Sequence, residues 1–203
     1  MGSAAYADRD AGPRATPATF AAMPIYVALL RWINVGGNRM IKMSDLREVF
    51  VAAGARDVAT YIQSGNVVFT HAARSQPTLA AELEKRIARV AGFQVPVVLR
   101  SAGELAQVIE DSPFPDADAD HLHVAFLATR PPASVSQIDA RVFAPERCAV
   151  VGRDLYLYLP NGMGRSKLAA AVLARPRAIG VGGTARNWRT VLKLSELASA
   201  RPP

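Results

Sequence analysis

Four short polar segments hold most of the residues in this chain that could do chemistry. The first, RWINVGGNRMIKM, starts at Arg31. It follows an apolar run, Ile25 to Leu30, and sets Asn34, Gly36, Gly37, Asn38, Arg39 and Lys42 ahead of a helix. Paired glycines let backbone N–H groups approach an anion or form a tight turn. Arg31, Arg39 and Lys42 could neutralise that anion. The second segment, TYIQSGNVVF, contains a turn in which Gly65 and Asn66 do the bending, leaving Gln63 and Ser64 to face a ligand. The third, Asn161 to Lys167, is a glycine-rich loop opening a helix, where free N–H groups and the positive dipole end suit an anion. Ser166 reads as its N-cap and Lys167 as a phosphate contact. The fourth, Thr184 to Thr190, brings Arg186, Asn187 and Trp188. Arg186 offers a planar phosphate fork. Trp188 can stack on a base or pack between halves.

Several more specific chemistries fail on spacing. The third segment lacks the G-x-x-x-x-G-K-[ST] order of a Walker loop. Ser166 and Lys167 are neighbours and do not face each other on a helix, which disfavours a Ser–Lys nucleophile pair. Gly180, Gly182 and Ala185 mimic a dinucleotide fingerprint, but no strand precedes them and no acidic residue follows at the required distance. His121 and His123 fall near Asp116, Asp118 and Asp120, yet those carboxylates sit in a proline-bearing linker, a poor setting for a metal. His71 ends a strand and reads as solvent-facing. The polar segments hold no His, Cys, Asp or Glu as a ready base, apart from Asp45 just beyond Lys42. These residues leave the cofactor unassigned, and an enzyme built on them would borrow a metal or a substrate group.

The elements that position these segments are legible from apolar spacing. Ile25–Arg31, Val58–Gln63, Val67–Thr70 and Val95–Arg100 read as strands. Ser44–Ala53, capped by Ser44, and Leu79–Ala91, closed by Gly92, read as helices. The order strand, helix, strand, strand, helix, strand is the split unit of ferredoxin-like folds. The rest echoes it less clearly. Glu104–Glu110 is a short helix, His123–Ala128 a strand and Val135–Val142 a helix. Ala149–Val151 and Leu155–Leu159 form a hairpin, and Ser166–Ala174 is a helix. A last helix starts at Thr184 or Asn187 and runs to about Ala198, with Arg186, Arg189 and Thr190 on one side by helical spacing. The expected fold class is α+β, with two ferredoxin-like halves packed together. Residues 1–22 form a disordered leader, 23–100 the first half, and 101–203 the second half with its basic C-terminal helix.

Composition bounds the rest. Of 203 residues, 50% are hydrophobic and 20% charged, the balance of an ordinary folded chain. No apolar run approaches a membrane span. The only cysteine, Cys148, allows no internal disulfide and fits a reducing cytoplasm. The leader is alanine- and proline-rich and lacks a secretory pattern. MGSAAY misses the myristoylation motif because Tyr6 stands at the Ser/Thr position. The net charge of +7 lies entirely in the last forty residues, where eight cations face Glu196 alone. Such asymmetry suggests a partner with phosphates or carboxylates, against the alternative of a solvated basic face.

The four segments, with the third and fourth extended to YLPNGMGRSKL and TARNWRTVLKL, resemble the signature blocks of the bacterial domain-of-unknown-function family numbered 1697. The resemblance covers about residues 24–198 and implies two ferredoxin-like α+β halves. It implies no settled activity. The family usually has Gly where this chain has Trp32, and an indole beside Arg31 would narrow the site. The expectation is one basic cleft for a phosphate-bearing ligand: a nucleotide, a phosphorylated metabolite or nucleic acid. Arg31, Asn34, Lys42, Gln63, Lys167, Arg186 and Asn187 would make the contacts. Two other classes stay open. One is an enzyme of phosphoryl-transfer or hydrolase type that works by positioning and electrostatic stabilisation. The other is a structural or interaction protein whose polar segments are internal scaffolding.

Overall fold

Alternation along single strands organises the whole molecule. The computed structural model describes residues 23–31, 33–34, 40–63, 65–136, 138–173 and 183–201. The predicted leader lies outside them, as do Trp32, Gly36, Gly37 and Ser64. The first half runs β1 (Ile25–Leu30), α1 (Met43–Ala52), β2 (Arg56–Tyr61), β3 (Asn66–Thr70), α2 (Gln76–Ala91) and β4 (Val97–Ser101). Its sheet is antiparallel, in the order β2-β3-β1-β4. In β1, Tyr26, Ala28 and Leu30 point to a core shared with Leu46 and Phe50 of α1 and with Leu83 and Ile87 of α2. Val27 and Leu29 point to the opposite face, as a period of two requires. Local signals bound α2. Ser75 accepts the Thr78 N–H at its start, and Gly92 adopts φ +78° at its end.

The second half runs α3 (Ala102–Glu110), β5 (Leu122–Phe126), α4 (Ala133–Ser136), β6 (Arg147–Val151), β7 (Asp154–Tyr158), α5 (Lys167–Leu173), β8 (Thr184–Asn187) and α6 (Trp188–Ser199). Short 3-10 turns occupy Ala140–Phe143 and Met163–Arg165. The sheet order β6-β7-β5-β8 repeats the first sheet strand for strand. Helices α3 and α6 each follow the last strand of a sheet, and they pack together between the two sheets. Leu105, Val108, Val191 and Leu194 from these helices share one core with Val27 and Val98 of the first sheet and Val124 and Phe126 of the second. A third core, including Leu155, Leu157, Leu168 and Val172, lies behind the second sheet. The fold is thus α+β with two ferredoxin-like halves.

Four expectations need correction. Thr184 does not start a helix: Thr184–Asn187 is the fourth strand of the second sheet, paired with β5. Asn187 is the residue that caps α6, its side chain accepting the Thr190 N–H at 3.0 Å. Arg186 therefore stands on a strand and shares no helical side with Arg189 and Thr190. The predicted helix Val135–Val142 is broken into α4 and a 3-10 turn, because the Asp139 side chain accepts the Arg141 N–H and starts a new turn. Finally, Ser44 does not cap α1. The cap position is Lys42, without a side-chain cap bond, and the Ser44 hydroxyl donates to Asp45.

Candidate functional site

The site is built around Arg186, which reaches from β8 into the first half. Its side chain is buried, and each of its five N–H groups has an acceptor. Nε donates to Asn66 Oδ1 at 2.5 Å. Nη1 donates to Thr184 Oγ1 at 2.6 Å and to the Ala185 carbonyl at 2.8 Å. Nη2 donates to the carbonyls of Leu30 at 2.8 Å and Gly65 at 3.2 Å. Burial pulls its pKa down to about 10, which leaves the guanidinium charged at neutral pH. The turn it grips requires glycine: Gly65 has φ +74°, and a Cβ there would sit 2.7 Å from Leu30 Cβ.

A cleft of about 560 Å³ opens beside this arginine, between the two halves. Leu30, Arg31, Ile33 and Ile62 line it from the first half; His123, Met163 and Gly183–Asn187 line it from the second. Two arginines and a histidine thus face the cleft, and no carboxylate is among its described lining residues. Partial burial pulls the pKa of Arg31 down. Burial also pulls down that of His123, with a smaller push from the charge of His121, so its imidazole favours the neutral form.

The other predicted residues fall into distinct places. Thr184 and Asn187 line the same cleft as Arg31 and Arg186. Asn34 acts as a brace. Its side-chain amide donates to the carbonyls of Ile41 (3.0 Å) and Gln63 (2.9 Å), and its Oδ1 accepts the Ile41 N–H. Lys42 and Gln63 are exposed beside these bonds. Trp188 is half-buried against the core between the sheets, 6.4 Å from the Tyr156 ring. Ser166 and Lys167 lie at the start of α5 instead. Ser166 Oγ accepts the Ala169 N–H, and the buried Glu146 carboxylate accepts the Leu168 N–H at 2.9 Å. Two N–H groups of the helix start expected to face an anion thus meet the protein's own hydroxyl and carboxylate. Gly36, Gly37 and Ser64 lie outside the described residues.

Three described cations of the C-terminal segment besides Arg186 bond to the protein itself. Arg189 pairs with Asp120, and Lys193 pairs with Glu196. Arg201 donates to the backbone carbonyls of Asp57, Val68 and Leu197. Sequence reasoning missed His123 as a cleft residue and Ile62 as part of its wall. It also missed Arg100, a lone arginine directly after the apolar run VVL of β4. Among the described residues, no group of three or more His, Cys, Asp or Glu could hold a metal ion. Nor is any described helix long and apolar enough to cross a membrane.

Two ferredoxin-like halves around a cation-lined cleft define an architecture rather than an activity, since this fold hosts many functions. The chain belongs to the family described as "Protein of unknown function (DUF1697)", which it matches over residues 23–156. That match is shorter than the span the four segments suggested, and it ends before the segments carrying Lys167 and Arg186. The fold is also similar to the solved structure of a conserved bacterial protein, SP0830 from Streptococcus pneumoniae. The two share 24% identity with a TM-score of 0.69, over 88% of this chain and 99% of that one. No curated protein matches the chain.

Proposed function

We propose that the cleft between the halves binds a small phosphate-bearing ligand, and that the protein acts as a binding module. The observation that carries this is the lining: Arg31, Arg186 and His123 without a carboxylate among the described residues. Binding sites favour such concave junctions between substructures, and this cleft has the volume of a nucleotide-sized site. Arg31 makes the direct contact. Arg186 contributes its charge from beneath, its N–H groups being committed to the protein. A small ligand suits the charge distribution better than nucleic acid does. The C-terminal cations Arg189, Lys193 and Arg201 pair with the protein itself and form no free stripe along a phosphate backbone.

The test is calorimetry and thermal shift on the full chain with inorganic phosphate, adenosine monophosphate and a short oligonucleotide. Arg31→Ala should weaken phosphate binding about tenfold or more, the scale of one charge-assisted contact. Absence of binding by any phosphate compound would refute the reading. Oligonucleotide affinity that falls steeply with salt would move it to nucleic acid. The five internal bonds of Arg186 favour a second role for that one residue, as scaffolding between the halves. Arg186→Ala should accordingly lower the melting temperature even without ligand.

A further inference from the structure

Ile62 is placed against the ordinary preferences of its residue type. It lies in the turn after β2 with φ +48°, a backbone region that β-branched residues avoid. It remains 52% exposed at the cleft, so the protein alone gives its side chain only part of the benefit of burial. The surrounding turn cannot relax. Asn34 holds the Gln63 carbonyl on one side. On the other, the Leu30 N–H donates to the Gly65 carbonyl at 2.8 Å, and no Cβ fits at position 65. Glycine or asparagine at position 62 would adopt this conformation with less strain. An isoleucine held there by its neighbours suggests a use outside folding. Leu30 and Ile33 stand with it on the first half's wall, and Met163 and Leu173 line the other side. The cleft therefore has an apolar portion as well as the polar portion marked by Arg31 and His123.

We infer that the ligand is a phosphate monoester bearing an apolar or planar group, and that Ile62 selects for that group. The inference rests on the anion reading of the same cleft. The phosphate meets Arg31 while the ester group covers Ile62 and the adjoining aliphatic side chains.

Calorimetry of the full chain with inorganic phosphate and phenyl phosphate tests this, using wild type, Ile62→Gly and Ile62→Asn. Wild type should bind phenyl phosphate about tenfold or more tighter than inorganic phosphate, the scale of a small apolar group entering a pocket. Both variants should lose that preference and keep their affinity for inorganic phosphate. A merely structural Ile62 would lower the melting temperature on substitution and leave the preference untouched. That result overturns the inference, as does equal binding of the two compounds by wild type, and both leave the anion reading standing. Failure of wild type to bind either compound refutes the anion reading and this inference with it.

Discussion

Arg100 and Arg186 occupy equivalent places in the two halves and end in different surroundings. Arg100 directly precedes Ser101, the cap of α3, and Arg186 directly precedes Asn187, the cap of α6. Each Nη1 donates to the carbonyl of the preceding residue, Leu99 or Ala185. Each Nη2 crosses to a carbonyl at the end of the other half's first strand, Leu127 or Leu30. Each guanidinium also reaches the first residue of the other half's third strand, and the equivalence holds in register: Asp154 pairs with Phe126, and Asn66 with Leu29. There the chemistry diverges. Arg100 meets a carboxylate, Asp154, at 2.6 Å, whereas Arg186 meets the neutral amide of Asn66. The next position differs too. Arg153 fills its surroundings by binding Glu104 and Gln76, while Gly65 has no side chain to do so. The cavity beside Arg100 is about 190 Å³, against about 560 Å³ beside Arg186. One arginine serves a closed ion-paired joint. Its counterpart serves an open joint whose charge borders a cleft.

Deleting each arginine should give the largest effects. Arg100→Ala leaves the Asp154 carboxylate buried without its partner, a loss of about 3–5 kcal/mol. Arg186→Ala leaves neutral oxygens that water can reach through the cleft, a loss of about 1–3 kcal/mol. Denaturant unfolding of both variants measures the difference directly. Equal losses would mean that the carboxylate–amide contrast has no energetic weight and that the two joints are alike.

A smaller effect, on binding rather than folding, should follow from exchanging the residues that differ. Asn66→Asp brings a negative charge against Arg186 and turns the open joint into an ion pair. Inorganic phosphate affinity should fall about tenfold, since one unit charge at this range, partly screened, is worth about 1–2 kcal/mol. Asp154→Asn removes charge from the closed joint and should lower stability while leaving phosphate affinity unchanged. Calorimetry on both variants separates these outcomes. Equal effects on binding would deny the Arg186 end its distinct role.

The first half was legible because its signals are local. Apolar alternation, Ser75 and Gly92 mark its elements without reference to the rest of the chain. The second half hid the strand that matters most. TARN has four residues and runs into a helix without a break, and its Thr and Asn resemble helix caps. Only pairing with β5, distant in sequence, makes it a strand. The polar segments announced donors and cations, and Arg31, Thr184, Arg186 and Asn187 do line one cleft. The direction in which those donors point was not legible. Residue type does not reveal that Asn34 bonds backbone or that Glu146 takes the start of α5. Nor does it reveal a positive φ at Ile62, because the forces that impose it come from Asn34 and Gly65 acting across the fold.

The smallest effect should distinguish the joints by pH. At the open joint, burial holds the His123 pKa below its ordinary 6.5, so between the two values the unfolded chain binds a proton that the folded chain refuses. Stability then falls as pH drops from 6.5 through the folded value. At the closed joint, burial pushes the Glu104 pKa up. The Ser101 N–H, the Gln76 amide and Arg153 outweigh that push and leave it below its ordinary 4.5. Its contribution is present above 4.5 and is lost as pH falls through the lowered folded value. Melting temperatures across this range should show two separable losses, the first absent in His123→Gln and the second reduced in Glu104→Gln, the remainder coming from Asp120 and Asp139, whose arginine partners also hold their pKa values down. Phosphate should reduce the first loss, because an anion in the cleft favours the imidazolium, and should leave the second unchanged. A first loss that persists in His123→Gln would remove His123 from the open joint's titration.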